Sequence, residues 1–167
     1  MLKYVDYKVT FSEVPDEISL CINLSGCPHK CEGCHSPYLQ EDTGEELTTD
    51  ALAKLIEENE GISCVCFMGG DNDIPQLSLK ADFVRKKYHL KTAWYTGLDF
   101  RPTMDRPICK SFDFIKTGRY FEQFGPLNNP NTNQRFYTKG SAMKKMDANP
   151  HMWYDTTDKF WEDDTDS

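Results

Sequence analysis

The sequence predicts an α/β protein built on a mostly parallel sheet. Two observations predict it. Short β-rich runs alternate along the chain with helical patterns, the signature of βαβ units. The β-rich runs also end in turn formers or in a cysteine-rich loop, so each strand delivers a polar loop at its carboxyl end.

The elements follow in order. EISLCINLSG (17–26) alternates, with Ile18, Leu20, Ile22 and Leu24 on one face and Ser19, Cys21 and Asn23 on the other, as a period-two strand requires. LTTDALAKLIEENEG (47–61) reads as a helix. Thr48 or Thr49 is its N-cap, Asp50 sits in the first turn, Leu52, Leu55 and Ile56 form an apolar stripe, and Gly61 stops it. ISCVCFMGG (62–70) is a buried strand ending in two glycines. IPQLSLKADFVRKKYH (74–89) is a second helix, with Leu77, Phe83, Val84 and Tyr88 roughly on one side. KTAWYTG (91–97) and FDFIKTG (112–118) are the third and fourth strands. Between them, LDFRPTMDRPICKS contains Pro102 and Pro107 and has room for a helical turn or two at most, so a shortened helix is expected between Gly97 and Phe112. GPLNNPNTNQ (125–134) is a long loop. One domain is expected over residues 1–150, followed by a partly disordered acidic tail over 151–167 in which Trp161 is the residue able to dock.

Composition narrows the functional classes. The net charge of −8 gives no electrostatic reason to expect nucleic acid or an anionic membrane as partner. No window approaches the run of about 18 apolar residues that a spanning helix needs. The start of the chain carries no apolar segment of signal-peptide type, so a cytoplasmic location is expected.

The chemistry concentrates in SGCPHKCEGCHSP (25–37), which holds three of the seven cysteines and two of the four histidines. In a reducing compartment so tight a group reads as metal-binding rather than as a disulfide framework. Structural zinc would need four ligands, with His29 or His35 joining Cys27, Cys31 and Cys34, but no second CxxC pair exists. An iron–sulfur cluster is better served by thiolates on one loop, and three thiolates would leave one iron open. Cys21, Cys64 and Cys66 lie within strands and read as small buried hydrophobes, while Cys109, in a loop, stays open as a fourth ligand. The cysteine loop, GGD (69–71), YTG (95–97) and KTGR (116–119) all follow strand ends. If the strands are parallel, the four converge on one rim, where ligands of open α/β sheets and barrels sit.

The spacing C-x3-C-x2-C after a first strand, with GGD after the next, resembles the radical S-adenosylmethionine superfamily. GCPHKCEGCHSP, FMGGD, WYTG and IKTGRYFEQ…NPNTNQRFY narrow the resemblance to activases of anaerobic, glycyl-radical ribonucleoside-triphosphate reductases, over roughly residues 17–139. The resemblance implies a partial, open (βα) barrel of mostly parallel strands. It implies a [4Fe–4S] cluster on Cys27, Cys31 and Cys34, whose open iron chelates S-adenosylmethionine. Reductive cleavage would yield a 5′-deoxyadenosyl radical that takes hydrogen from a glycine of the reductase, with no side chain acting as acid or base. Gly33, Cys34, His35, Gly69, Gly70, Asp71 and Thr96 are the implied cofactor-binding residues. Asp71 stands where the superfamily often has Glu, and His35 where these activases commonly have Tyr. His35 either stacks on the adenine or is a solvated loop residue. Tyr95, Lys116, Gly118 and Arg119 are weaker candidates, and Asn133, Gln134 and Arg135 have no assigned role. The implied partners are the reductase and an electron donor such as a flavodoxin-like protein, with no nucleic acid and no membrane. The same chemistry on a different glycyl-radical protein or on a small molecule, a plain electron-transfer iron–sulfur protein, and a structural zinc-binding interaction module are the alternatives.

Overall fold

The computed structural model describes residues 1–27, 39 and 41–161. Eight strands form one mixed sheet: β1 (Lys3–Thr10), β2 (Ser19–Leu24), β3 (Glu45–Glu46), β4 (Cys64–Met68), β5 (Lys91–Tyr95), β6 (Phe114–Thr117), β7 (Arg135–Lys139) and β8 (Trp153–Asp155). Their order is β3-β1-β2-β4-β5-β6-β7-β8. β2, β4, β5 and β6 are parallel neighbours laid down in chain order, and antiparallel strands flank them on both sides. The α/β class and the parallel centre agree with the sequence, but the expectation of a mostly parallel sheet is corrected: among the described strands three pairings are parallel and four antiparallel. The two antiparallel flanks go beyond that expectation.

Two helices complete the fold, α1 (Thr49–Glu58) and α2 (Ile74–Tyr88). Thr48 caps α1, its side chain accepting from the Ala51 N–H at 3.0 Å, a contact worth about 1 kcal/mol. Asp73 caps α2 in the same way at the Gln76 N–H. α1 buries Leu52, Leu55 and Ile56 as expected. α2 buries Leu77, Lys80, Ala81 and Val84, whereas Phe83 and Tyr88 are only partly buried and meet edge to face. The connection from β5 to β6 holds only a 3-10 turn at Pro107–Ser111, so the shortened crossover is real.

Both helices cover one face of the sheet. Leu20, Ile22, Val65, Phe67, Trp94 and Ile115 meet them in a single buried cluster. The other face carries Cys21, Cys64, Cys66, Ala93, Phe114 and Phe136, closed over by Val14 and Leu127. Parallel strands buried on both faces read as apolar runs, which is why these four were legible. The β1 pattern is different: Val5, Tyr7 and Val9 are exposed, as is Phe11 just past its end, and the strand is held by its ladder to β2.

The boundary expected at residue 150 falls inside this sheet. β8 pairs with β7, and the Trp161 indole N–H donates to the Leu127 carbonyl at 2.9 Å. Residues 162–167 lie outside the described residues. No described helix is long and apolar enough to cross a membrane.

Phe67 is fully buried between the sheet and the helices. Its replacement in Phe67→Ala is expected to cost about 3–5 kcal/mol in denaturant unfolding. The outer edge responds to acid instead. Burial pushes the Asp155 carboxyl up, but the Arg135 guanidinium (2.8 Å) and the Thr157 donors outweigh it and hold the group below its usual value. That contribution is complete above the unfolded carboxylate pKa of about 4 and fades as pH falls through the lower folded value. Wild type should exceed Asp155→Asn in stability by about 1 kcal/mol or less near neutrality, since the pair is about a third exposed. The difference should shrink below about pH 4.

Candidate active site

The register of the four parallel strands builds the site in rows. Cys21, Cys66, Ala93 and Phe114 are in-register partners on the face away from the helices. Two residues further along every strand, Asn23, Met68, Tyr95 and Lys116 form the next row at the carboxyl end. All four of that second row line a cavity of about 250 Å³. The thiol row beneath is a packed floor. Burial raises the Cys64 and Cys66 thiols above the ordinary range, which makes them poor nucleophiles and poor ligands.

The loops after the strands form the wall. Cys27, Gly69, Asp71, Thr96, Gly97, Gly118 and Arg119 all line the cavity, so the four segments following β2, β4, β5 and β6 do converge. The cysteine loop starts and ends there. The Gly26 N–H donates to the Glu41 carbonyl at 3.0 Å and the Cys27 N–H to the Leu39 carbonyl at 2.9 Å, and Leu39 itself lines the cavity. Gly33, Cys34 and His35, together with His29 and Cys31, lie outside the described residues.

Gly69 and Gly70 have positive φ, +109° and +90°, where L side chains are strained. A Cβ on Gly70 would also meet Leu24 and Leu77 at 3.1 and 3.2 Å. Gly70 faces the core rather than the cavity, while Gly69 lines it. The Gly69 carbonyl accepts from the Trp94 indole N–H at 2.9 Å and the Gly70 carbonyl from the Asp73 N–H at 3.1 Å. Asp71 accepts from the Gly97 N–H at 3.0 Å, so its carboxylate ties the loop after β4 to the loop after β5.

Thr96 is fully buried, and its hydroxyl oxygen accepts from the Leu98 N–H at 3.0 Å. The buried Lys116 ammonium donates to the carbonyls of Thr96 (3.0 Å) and Gly118 (3.2 Å) and lies 5.6 Å from the centre of the Tyr95 ring. Burial pushes the Tyr95 phenol well above its ordinary range, and the neutral hydroxyl donates to the Glu13 carbonyl. Asn133 and Gln134 now have a physical role. Their amide groups donate to the carbonyls of Arg119 (3.0 Å) and Gly118 (3.3 Å) and so hold the turn after β6. Arg135 pairs with Asp155 at the outer edge. Sequence reasoning had passed over Asn23 and Met68 as cavity residues, although their parity with Cys21 and Cys66 was the available signal.

Of the three cysteines expected to hold a cluster, Cys27 is the one within the described residues, and a cavity-lining thiol there is compatible with an iron–sulfur group. Cys27 stands at the cavity mouth, and among the described cysteines no other lines it. Cys21, Cys64 and Cys66 are walled into the sheet, and Cys109 packs with Trp94 and Phe112 on the helix side. Among the described residues no group of three or more His, Cys, Asp or Glu is placed to hold a metal.

Asp71→Ala leaves the Gly97 N–H without its acceptor. A loss of about 1.5–3 kcal/mol is expected in urea unfolding, the range for a hydrogen bond to a charged group. The Asp71→Asn variant, which keeps an acceptor oxygen, should lose less.

Comparison with known proteins agrees with this geometry. The family model described as "4Fe-4S single cluster domain" matches residues 18–140, which take in all four parallel strands. The chain is 26% identical over 134 residues to the anaerobic ribonucleoside-triphosphate reductase-activating protein of Enterobacteria phage T4, covering 74% of this chain and 86% of that protein. No solved structure matches. Cys27 lines a cavity beyond the parallel strands, and the family match spans the whole parallel core: the chain belongs to the family of 4Fe-4S single cluster domains.

Proposed function

We propose that this protein is a radical S-adenosylmethionine activase, with the anaerobic ribonucleoside-triphosphate reductase as its protein substrate. The observation that carries the reading is the convergence of Cys27, the Gly69–Asp71 turn, Thr96 and the Lys116–Arg119 turn on one cavity beyond the carboxyl ends of the parallel strands. The similarity to a reductase-activating protein supports the choice of target. The singly wound strand order fits a partial, open (βα) barrel.

Cys27, Cys31 and Cys34 would hold the cluster. When bound, the cluster and S-adenosylmethionine supply one-electron cleavage of the sulfonium to methionine and a 5′-deoxyadenosyl radical, which takes a hydrogen atom from a glycine Cα of the reductase. The chain's own residues bind, orient and exclude water. Met68, Tyr95 and Leu24 offer an apolar surface to the cofactor. The Lys116 ammonium, held at the cavity floor by two carbonyls, would offer a cation to the methionine carboxylate. Gly69 contributes backbone, Asp71 and Thr96 fix the wall, and Gly33 and His35 belong to the cysteine loop. No side chain in the cavity is needed as a general acid or base, because no proton moves.

The test is product formation. Anaerobically reconstituted, reduced protein mixed with S-adenosylmethionine and the reductase should yield 5′-deoxyadenosine and a glycyl radical on the reductase. Each of Cys27→Ser, Cys31→Ser and Cys34→Ser should lose both products along with the iron. Lys116→Met should keep the iron and weaken S-adenosylmethionine binding at least tenfold. Iron retained in all three serine variants, or no 5′-deoxyadenosine from wild type, would contradict the reading.

A further inference from the structure

A second hollow of about 330 Å³ adjoins the candidate active site and shares Gly97, Gly118 and Arg119 with it. The remaining lining is Leu98, Asp99, Phe121 and Asn133. Two of the three shared residues are glycines, so neither places a side chain in the boundary between the hollows. The outer hollow is open to solvent at apolar groups: Leu98 is 36% and Phe121 37% exposed, and Phe121 packs edge to face on Phe124, which is 41% exposed. The Arg119 guanidinium lies 5.7 Å from the centre of the Phe121 ring.

One polar group there is unexplained by the fold. The Asn133 amide nitrogen donates to the Arg119 carbonyl, which fixes the direction of the group, and the Asn133 Oδ1 is buried with no hydrogen-bond partner. A buried acceptor left unmade costs about 1–3 kcal/mol. An N–H donor arriving from outside would remove that cost.

We infer that this outer hollow is the docking groove for an extended polypeptide segment of the reductase, which delivers its glycine to the inner cavity across the low wall of Gly97 and Gly118. The inference rests on the activase reading and adds the route of the substrate to it. The occupant is a polypeptide for two reasons drawn from the site. The hollow adjoins the cavity in which hydrogen would be abstracted, so a segment seated in it reaches that cavity across Gly97 and Gly118. Its lining pairs exposed apolar side chains with an unmade acceptor, which suits a backbone that presents N–H donors beside side chains. Another exposed apolar stripe, Val5, Tyr7 and Val9 on β1 with Phe11 just beyond it, lies on the helix side of the sheet, with Tyr7 and Val9 in register with Ile22 and Leu20. It has no continuity with the cavity.

The experiment compares Leu98→Glu, Phe121→Glu and a Val9→Glu control in the full-length, cluster-reconstituted protein. Affinity for the purified cognate reductase is read by titration calorimetry, and 5′-deoxyadenosine formation is read with dithionite in the absence of reductase. The two groove variants should bind the reductase at least tenfold more weakly, while cofactor cleavage without reductase stays at the wild-type rate. Val9→Glu should bind as wild type does. Unchanged reductase affinity in both groove variants would overturn the inference, as would loss confined to Val9→Glu. Circular dichroism of each variant separates lost docking from lost fold. If wild type fails to cleave S-adenosylmethionine, the activase reading falls, while the affinity comparison still judges the groove.

Discussion

The in-register parallel ladder of β2, β4, β5 and β6 is the constraint on which the rest depends. Strands laid side by side in chain order, with both helices on one face, bring every strand-to-helix loop to one end of the sheet. The ladder also fixes which side chains meet. Cys21, Cys66, Ala93 and Phe114 form one row, and Asn23, Met68, Tyr95 and Lys116 form the next. A slip of one residue in any pair would send that strand's cavity side chains to the helix face. The floor of the cavity is therefore a consequence of pairing, and the packed thiols below it hold the floor in place.

The wall is fixed by a different kind of contact. Single hydrogen bonds cross from one strand-end loop to the next. Trp94 reaches the Gly69 carbonyl, Asp71 takes the Gly97 N–H, Lys116 bridges the Thr96 and Gly118 carbonyls, and Asn133 and Gln134 hold the turn after β6. Several of these groups would be read from sequence as ligands. The geometry gives them a prior task, which is to hold the strand-end loops together. Preorganisation of this kind means that binding a ligand need not also order the wall.

The parallel strands and both helices were legible because their patterns are strong: near-continuous apolar runs buried on two faces, and capped helices with apolar stripes. β1, β3, β7 and β8 were not. β1 alternates but leaves its apolar residues exposed, β3 is two glutamates long, and β8 is three residues inside an acidic stretch. Their existence depends on partners far along the chain, which local periodicity does not encode. The convergence of Cys27, Gly69, Asp71 and Thr96 followed from placing loops after parallel strands. The anchoring roles of Asp71, Asn133 and Gln134 did not, because each depends on which backbone group lies opposite in space. Gly70 shows the same limit. Its positive φ was foreseeable, but its turn toward Leu24 and Leu77 was not.

The central claim is that three cysteines of one loop hold a cluster with an open iron facing this cavity. Electron paramagnetic resonance of the dithionite-reduced, anaerobically reconstituted protein tests it most directly, recorded with and without S-adenosylmethionine. The account predicts a [4Fe–4S]⁺ signal whose g-values shift on adding the cofactor, as direct chelation of one iron requires. A cluster signal indifferent to the cofactor, or stoichiometric zinc with no signal, would contradict it.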